Sequence, residues 1–220
     1  MILIIKLLAI ALIAYLLGAI PFGLIISQKM AGVDIRQHGS GNIGATNVFR
    51  VLGVKYGILT AVLDVGKAVA SVLLAGLIIG NEPLMVAGYD IHVPLAQIVA
   101  ALMVMVGHNW SVYIRFKGGK GVSAFFGGLV TINWFVALVA LAVIAVVVII
   151  TRYVSLGSMT AALGALLTFV ALTVMGMTTP IYVIYGLLAV LLIIYQHRSN
   201  IQRLLSGTEN RLGDKKTRVK

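Results

Sequence analysis

The amino-acid sequence predicts an all-α integral membrane protein: a bundle of seven transmembrane helices, N-terminus outside, C-terminus in the cytoplasm. Three observations predict it. Of the 220 residues, 60% are hydrophobic and only 10% are charged, against about 25% charged in a soluble domain. The mean hydropathy of +1.07 is more apolar surface than a water-soluble fold can hide. Charge-free stretches of span length recur along the chain, and the basic residues gather on one side of them.

A crossing helix needs about 20 mostly apolar residues. The first charge-free stretch, 7–28, places a span over 3–26. No clean small-x-small site follows it, so it reads as a retained span and not a signal peptide. The second span, 54–80, is interrupted by Asp64 and Lys67, three apart and so on one helical face. They form either an ion pair or part of a cavity. The third span covers 93–108, between Asp90 and Arg115. The stretch 153–197 holds two spans, 155–175 and 179–197, with a turn near Gly176 to Pro180.

Residues 121–151 cross once or twice, and the basic residues decide between these. Two crossings, 119–131 and 133–151 with a turn at Thr131-Ile132-Asn133, put 15 of the 17 basic residues on one side, all but Lys6 and Lys67. The other side then has no Lys or Arg in its loops, as the positive-inside bias demands. Thirty-one residues are short for two crossings, so one of these helices is expected to be a partial span. The chain is a single transmembrane domain over 1–220 with a cytoplasmic basic tail, 198–220. The net charge of +11 follows from topology and needs no nucleic-acid partner. With no Cys there is no disulfide, thiol nucleophile or thiolate metal site.

Three polar segments fall on the basic side. The first is Gly39-Ser40-Gly41-Asn42-Ile43-Gly44-Ala45-Thr46-Asn47-Val48-Phe49-Arg50. Its small residues let backbone approach a ligand, and Arg50 suits bidentate phosphate contact. Ser40, Asn42, Thr46 and Asn47 add hydroxyl and amide groups. The second runs from Gly107-His108-Asn109-Trp110 to Lys117-Gly118-Gly119-Lys120-Gly121. A glycine-rich turn opening a helix presents N–H groups and the positive dipole end, and Lys117 and Lys120 complete an anion cradle. His108 is either a base or a satisfied interfacial histidine. The third runs from His197 through Asn200 and Arg203 to Glu209. On a helix, His197, Asn200 and Arg203 turn one face toward the other loops. His38 and His92 lack a metal-ligand pattern, and no metal site is expected.

In this order the segments GSGNIGATNVFR (39–50), GHNWSVYIRFKGGKG (107–121) and HRSNIQRLLSGTE (197–209) resemble the bacterial acyl-phosphate:glycerol-3-phosphate acyltransferase family. Ser111 stands where many members carry Pro, a change of loop shape and not of basic groups. The resemblance implies a multi-pass enzyme of the bacterial inner (plasma) membrane, its site on the cytoplasmic face, without metal or other cofactor. It implies transfer of a fatty acyl chain from acyl-phosphate to the sn-1 hydroxyl of glycerol 3-phosphate, giving 1-acylglycerol 3-phosphate and phosphate. A separate enzyme would supply the acyl-phosphate. Ser40, Arg50, Lys120, His197 and Asn200 are the expected catalytic residues. Gly41, Asn42, Thr46, Asn47, His108, Lys117, Gly118, Gly119, Arg203 and Glu209 are the expected substrate-binding ones. The donor is already activated, so the site must chiefly gather the reactants and hold negative charge. The hydroxyl proton goes to His197, His108, Glu209 or a substrate phosphate, the last preferred. The rival reading is an organophosphate transporter, whose site would lie at mid-membrane in broken helices of paired repeats.

Overall fold

The computed structural model describes residues 1–213. Residues 214–220, with the tail positions Lys215, Lys216, Arg218 and Lys220, lie outside the described residues. The chain runs α1 (Ile2–Ala19), α2 (Phe22–Ala31), α3 (Ala45–Leu52), α4 (Val54–Ile79), a hairpin of β1 (Met85–Val86) and β2 (Tyr89–Asp90), then α5 (His92–Asn109), α6 (Val122–Ile132), α7 (Trp134–Thr151), α8 (Val154–Val174), α9 (Ile181–Gln196) and α10 (Arg198–Leu205). The hairpin is antiparallel, Met85 opposite Asp90 and Val86 opposite Tyr89.

Among the described residues, five segments are long and apolar enough to cross a membrane: 2–31, 54–79, 92–114, 134–151 and 154–174. α9 passes that test only together with α10, across a 61° bend. α6 has 11 residues, about 16 Å of helix at 1.5 Å per residue, well short of a hydrocarbon core of about 30 Å. The short member expected within 121–151 is therefore α6.

Within the first span, expected over 3–26, the helix is interrupted between α1 and α2. Pro21 has no N–H to continue the ladder, and Ile20 leaves helical geometry at φ −59°, ψ 116°. The break turns the Ile20 carbonyl toward α4, where Lys67 bonds to it. The turn expected at Thr131-Ile132-Asn133 is present. Asn133 accepts from the N–H groups of Phe135 and Val136 at 3.1 and 3.2 Å, capping α7 as Asn does best. Lys6 donates to the Ile79 carbonyl at 2.8 Å.

α4 packs against α1, α2, α3, α5 and α6, α5 against α1, α4, α6 and α9, and α8 against α7 and α9. Small side chains make this possible: Ala68, Ala75, Ala96, Ala100, Ala101, Ala124, Ala161, Ala162 and Ala165 are all buried. Close packing of this kind, and not water exclusion, holds helices together in lipid. At the α1–α5 crossing, a Cβ on Gly107 would strike the Tyr15 carbonyl. Phe125, Phe169 and Tyr185 fill the centre. The large side chains left outside, among them Leu138, Leu141, Val146, Ile149 and Ile150 of α7, cover a flank that only lipid would solvate cheaply.

Candidate active site

The three polar segments meet at one end of the bundle. They enclose an inner cleft of about 330 Å³ and an adjoining outer chamber of about 320 Å³. Ser40, Asn42, Lys120 and Arg203 border both.

The loop before α3 is held by one side chain. Asn47, buried, accepts from the Ser40 N–H at 2.8 Å. Its amide nitrogen donates to the carbonyls of Asn42, His38 and Ile35 at 2.8, 3.0 and 3.2 Å. Asn42 in turn accepts from the Gly44 N–H at 2.8 Å. Asn47 also borders the cleft, and its side-chain amide is bonded within its own loop. Ser40, Asn42, Thr46 and Arg50 remain on the cleft wall, and Arg50 also reaches the Asn210 carbonyl at 3.3 Å.

The glycine turn between α5 and α6 is likewise anchored inward. Gly118 N–H donates to the Asn109 carbonyl at 3.1 Å and Gly119 N–H to that of His108 at 2.9 Å. These two N–H groups, expected to cradle phosphate, are engaged within the turn. Gly121, Val122 and Ser123, where α6 begins, line the cleft in their place. Lys117, with Gly41, Gly118 and Gly119, borders only the outer chamber. A Cβ on Gly119 would collide with the His108 ring, so only glycine lets the turn pass.

Lys120 donates to the Asn200 amide oxygen. Asn200 donates to Glu209 at 2.6 Å, and Glu209 also accepts from Ser155 at 2.8 Å and from Arg203 at 2.8 Å. One carboxylate thus ties α8, α10 and the following segment together. Burial acts to raise the Glu209 pKa, but the bonds from Asn200, Arg203 and Ser155 outweigh it and hold it below 4.5. Burial pushes Lys120, in its loop, down from 10.5 to about 8; Glu209 opposes this, while Arg203 and Arg50 add to it. His197 donates from Nδ1 to the Ile193 carbonyl at 2.8 Å. In the neutral ring this leaves Nε2 as an acceptor, on the cleft wall.

Beneath the glycine turn lies a buried cluster. Lys67 pairs with Asp64 at 2.8 Å, meets His108 Nδ1 at 3.0 Å and donates to the Ile20 carbonyl at 2.9 Å. Of the three, His108 alone borders the cleft. Away from the cations the wall turns apolar, through Ala61, Val65, Phe126, Leu141 and Ile144. Past Ala61 and Val154 it continues into a surface groove with Phe49 and Ile58.

Sequence reading passed over Ser155 and Ser158, buried on α8 at the cleft; the signal was two hydroxyls one turn apart opening an apolar helix. It passed over Asn109, whose buried side-chain amide has no hydrogen-bond partner and borders the outer chamber. Asn109 lies within the second polar segment but was not singled out there.

The family profile described as glycerol-3-phosphate acyltransferase matches residues 8–207. The chain is similar to "Glycerol-3-phosphate acyltransferase 3" of Dehalococcoides mccartyi, 41% identical over 213 residues covering 97% of this chain and 99% of that protein. It is also similar to a glycerol-3-phosphate acyltransferase of Thermoanaerobacter sp., 42% identical over 205 residues covering 93% and 95%. Among solved structures it is similar to PlsY (YgiH), an integral membrane glycerol 3-phosphate acyltransferase, in its glycerol 3-phosphate form. There the TM-score is 0.79 at 39% identity, over 94% of this chain and 96% of the other.

Proposed function

The chain belongs to the glycerol-3-phosphate acyltransferase family, which makes it an integral membrane acyltransferase of phospholipid biosynthesis, and from that premise we propose its donor, its regiochemistry and its orientation. The donor is acyl-phosphate, and the chain is transferred to the sn-1 hydroxyl of glycerol 3-phosphate. The bundle crosses the bacterial plasma membrane seven times, N-terminus outside, with the cleft at the cytoplasmic face. A separate enzyme supplies the acyl-phosphate.

The observation that carries the donor is the composition of one cleft. Arg50, Lys120 and Arg203 stand at one end and Phe126, Leu141 and Ile144 at the other. A molecule with phosphate joined directly to an acyl chain spans that change of polarity. In the step itself, the glycerol oxygen bonds to the acyl carbon and the carbon–oxygen bond to phosphate breaks. The bonding pair leaves with phosphate, and the hydroxyl proton passes to a phosphate oxygen. The chain's work is to align the reactants and hold the negative charge. Lys120 and the start of α6 hold the acyl-phosphate group, and Arg50 a phosphate. Ser40, Asn42 and Thr46 border the reacting centre. His197, through Nε2, and Asn200 orient the glycerol. Lys117 and Arg203 attract anionic substrate through the outer chamber.

Purified protein in detergent, given glycerol 3-phosphate with acyl-phosphate or with acyl-CoA, tests this. Phosphate release with formation of 1-acylglycerol 3-phosphate is expected only with acyl-phosphate. Equal or faster acylation from acyl-CoA would overturn the donor; the 2-acyl isomer as first product would overturn the regiochemistry. A transporter would give neither product.

A further inference from the structure

The cluster of Asp64, Lys67 and His108 has no part in binding as described so far. Two of its members are charged and both are buried, an arrangement that is expensive in a membrane protein and usually tied to function. Neither Asp64 nor Lys67 borders either chamber, whereas His108 borders the cleft. Whatever the pair contributes at the cleft therefore passes through one imidazole.

The hydrogen bonds fix the state of that ring. The Lys67 ammonium forms an ion pair with Asp64 Oδ1 at 2.8 Å and hydrogen bonds with the Ile20 carbonyl at 2.9 Å and His108 Nδ1 at 3.0 Å. An ammonium can only donate. Its bond to the ring therefore requires Nδ1 to be the unprotonated nitrogen. A proton on Nδ1 would instead have to reach Asp64 across 3.5 Å, while Lys67 already sits nearer that oxygen. With Nδ1 accepting, the ring proton is on Nε2, the nitrogen turned toward Gly119.

We propose that Lys67 and Asp64 lock His108 in its Nε2–H tautomer, and that this N–H donates to the acyl carbonyl oxygen of the bound acyl-phosphate. The proposal rests on the acyl transfer reading above. It follows the order of groups along the donor: phosphate at Lys120, carbonyl next, chain on the apolar wall. His108 belongs to the last turn of α5, under the turn that carries Lys120, and so lies at the middle position. As the glycerol oxygen adds to the carbonyl carbon, the carbonyl oxygen gains negative charge. It returns that charge when the phosphate leaves. A donor fixed before the reaction starts stabilises this charge without reorganising. His108 is then a catalytic residue, while Lys67 and Asp64 are positioning residues. The unprotonated state of Nδ1 also removes His108 from the candidates for general base, because Nε2 already carries its proton.

Two measurements test this separately from the reaction assignment. The first needs no turnover: nitrogen NMR of protein carrying labelled histidine, with His108 assigned by its loss in His108→Gln. The expected spectrum shows His108 neutral, protonated at Nε2 and bare at Nδ1, and Lys67→Met shifts it toward Nδ1–H. A doubly protonated ring, or Nδ1–H in the unaltered protein, would overturn the lock even if acyl transfer is confirmed. The second is kinetic, on variants shown by unchanged elution and thermal unfolding to be folded. His108→Gln keeps an N–H near the Nε2 position and is expected to lose about tenfold in kcat, with KM for glycerol 3-phosphate held within about threefold. His108→Leu is expected to lose about 100- to 1,000-fold, the usual effect of removing one such donor. Equal losses in the two variants would overturn the donor role and leave a structural one. Absence of transfer from acyl-phosphate in the unaltered protein would instead count against the donor assignment, with the NMR result standing.

Discussion

At the scale of single residues the site depends on a few half-buried cations. Arg50→Ala and Lys120→Ala should each reduce acyl transfer by about 100- to 1,000-fold, as expected when one fixed charge or donor is lost, while the proteins remain monodisperse in detergent. Near-normal turnover in either would remove that residue from the mechanism. Lys120 carries a pH dependence as well. Its pKa falls from 10.5 to about 8 on burial, so the folded protein loses this charge at a pH where a solvated lysine would keep it. Affinity for the phosphate donor should therefore weaken as pH rises through about 8. Lys120→Arg should move that limb to higher pH, since a guanidinium stays charged. An unshifted limb would mean that another group titrates. Asn47→Ala acts differently. It leaves the Ser40 N–H and three loop carbonyls without their partner. A loss of about 1–3 kcal/mol in unfolding free energy, the cost of unpaired buried groups, should accompany the fall in activity.

At the scale of elements, how much the sequence disclosed depended on whether the signal was local. Apolar stretches marked most helices because lipid imposes a length and a composition. The bend at Asn133 was readable because Asn caps by bonding to its own near neighbours. Asn133→Ala should cost about 1 kcal/mol, measured as a lowered midpoint of thermal unfolding in detergent; no change would mean that the turn is set by packing alone. Pro21 was not read as a break, and neither was the use of that break. That use is to present the Ile20 carbonyl to Lys67, a residue 47 positions away. The same holds at the site. The cations and glycines announced phosphate chemistry, but nothing local shows that the Gly118 and Gly119 N–H groups turn inward or that Asn47 faces its own loop. The partnership of Ser155 with Glu209 joins residues 54 apart, and no spacing rule reaches that far.

At the scale of the whole molecule, the cleft gathers its walls from loops that hydropathy and the placing of basic residues together assign to one side. The absence of Cys makes that arrangement directly testable. Single replacements at exposed positions, Glu82→Cys and Met177→Cys at one end, Gln37→Cys and Tyr113→Cys at the other, supply labelling sites without background. In intact cells a membrane-impermeant maleimide should label positions 82 and 177 and spare 37 and 113. The reverse pattern would invert the bundle, and labelling at both ends in one class would overturn the seven-crossing count.

The segment around Glu209 adds a constraint on timing. This carboxylate joins Ser155, Asn200 and Arg203, while the Asn210 carbonyl meets Arg50 and Leu212 bonds back to Arg152. The cleft is thus fastened by residues made after all the helices that surround it. A ribosome-bound chain that has not yet released residue 209 holds its spans in the membrane with the cleft still unfastened. Activity arrives as a late event of synthesis, after insertion, and not piece by piece as the helices enter the lipid.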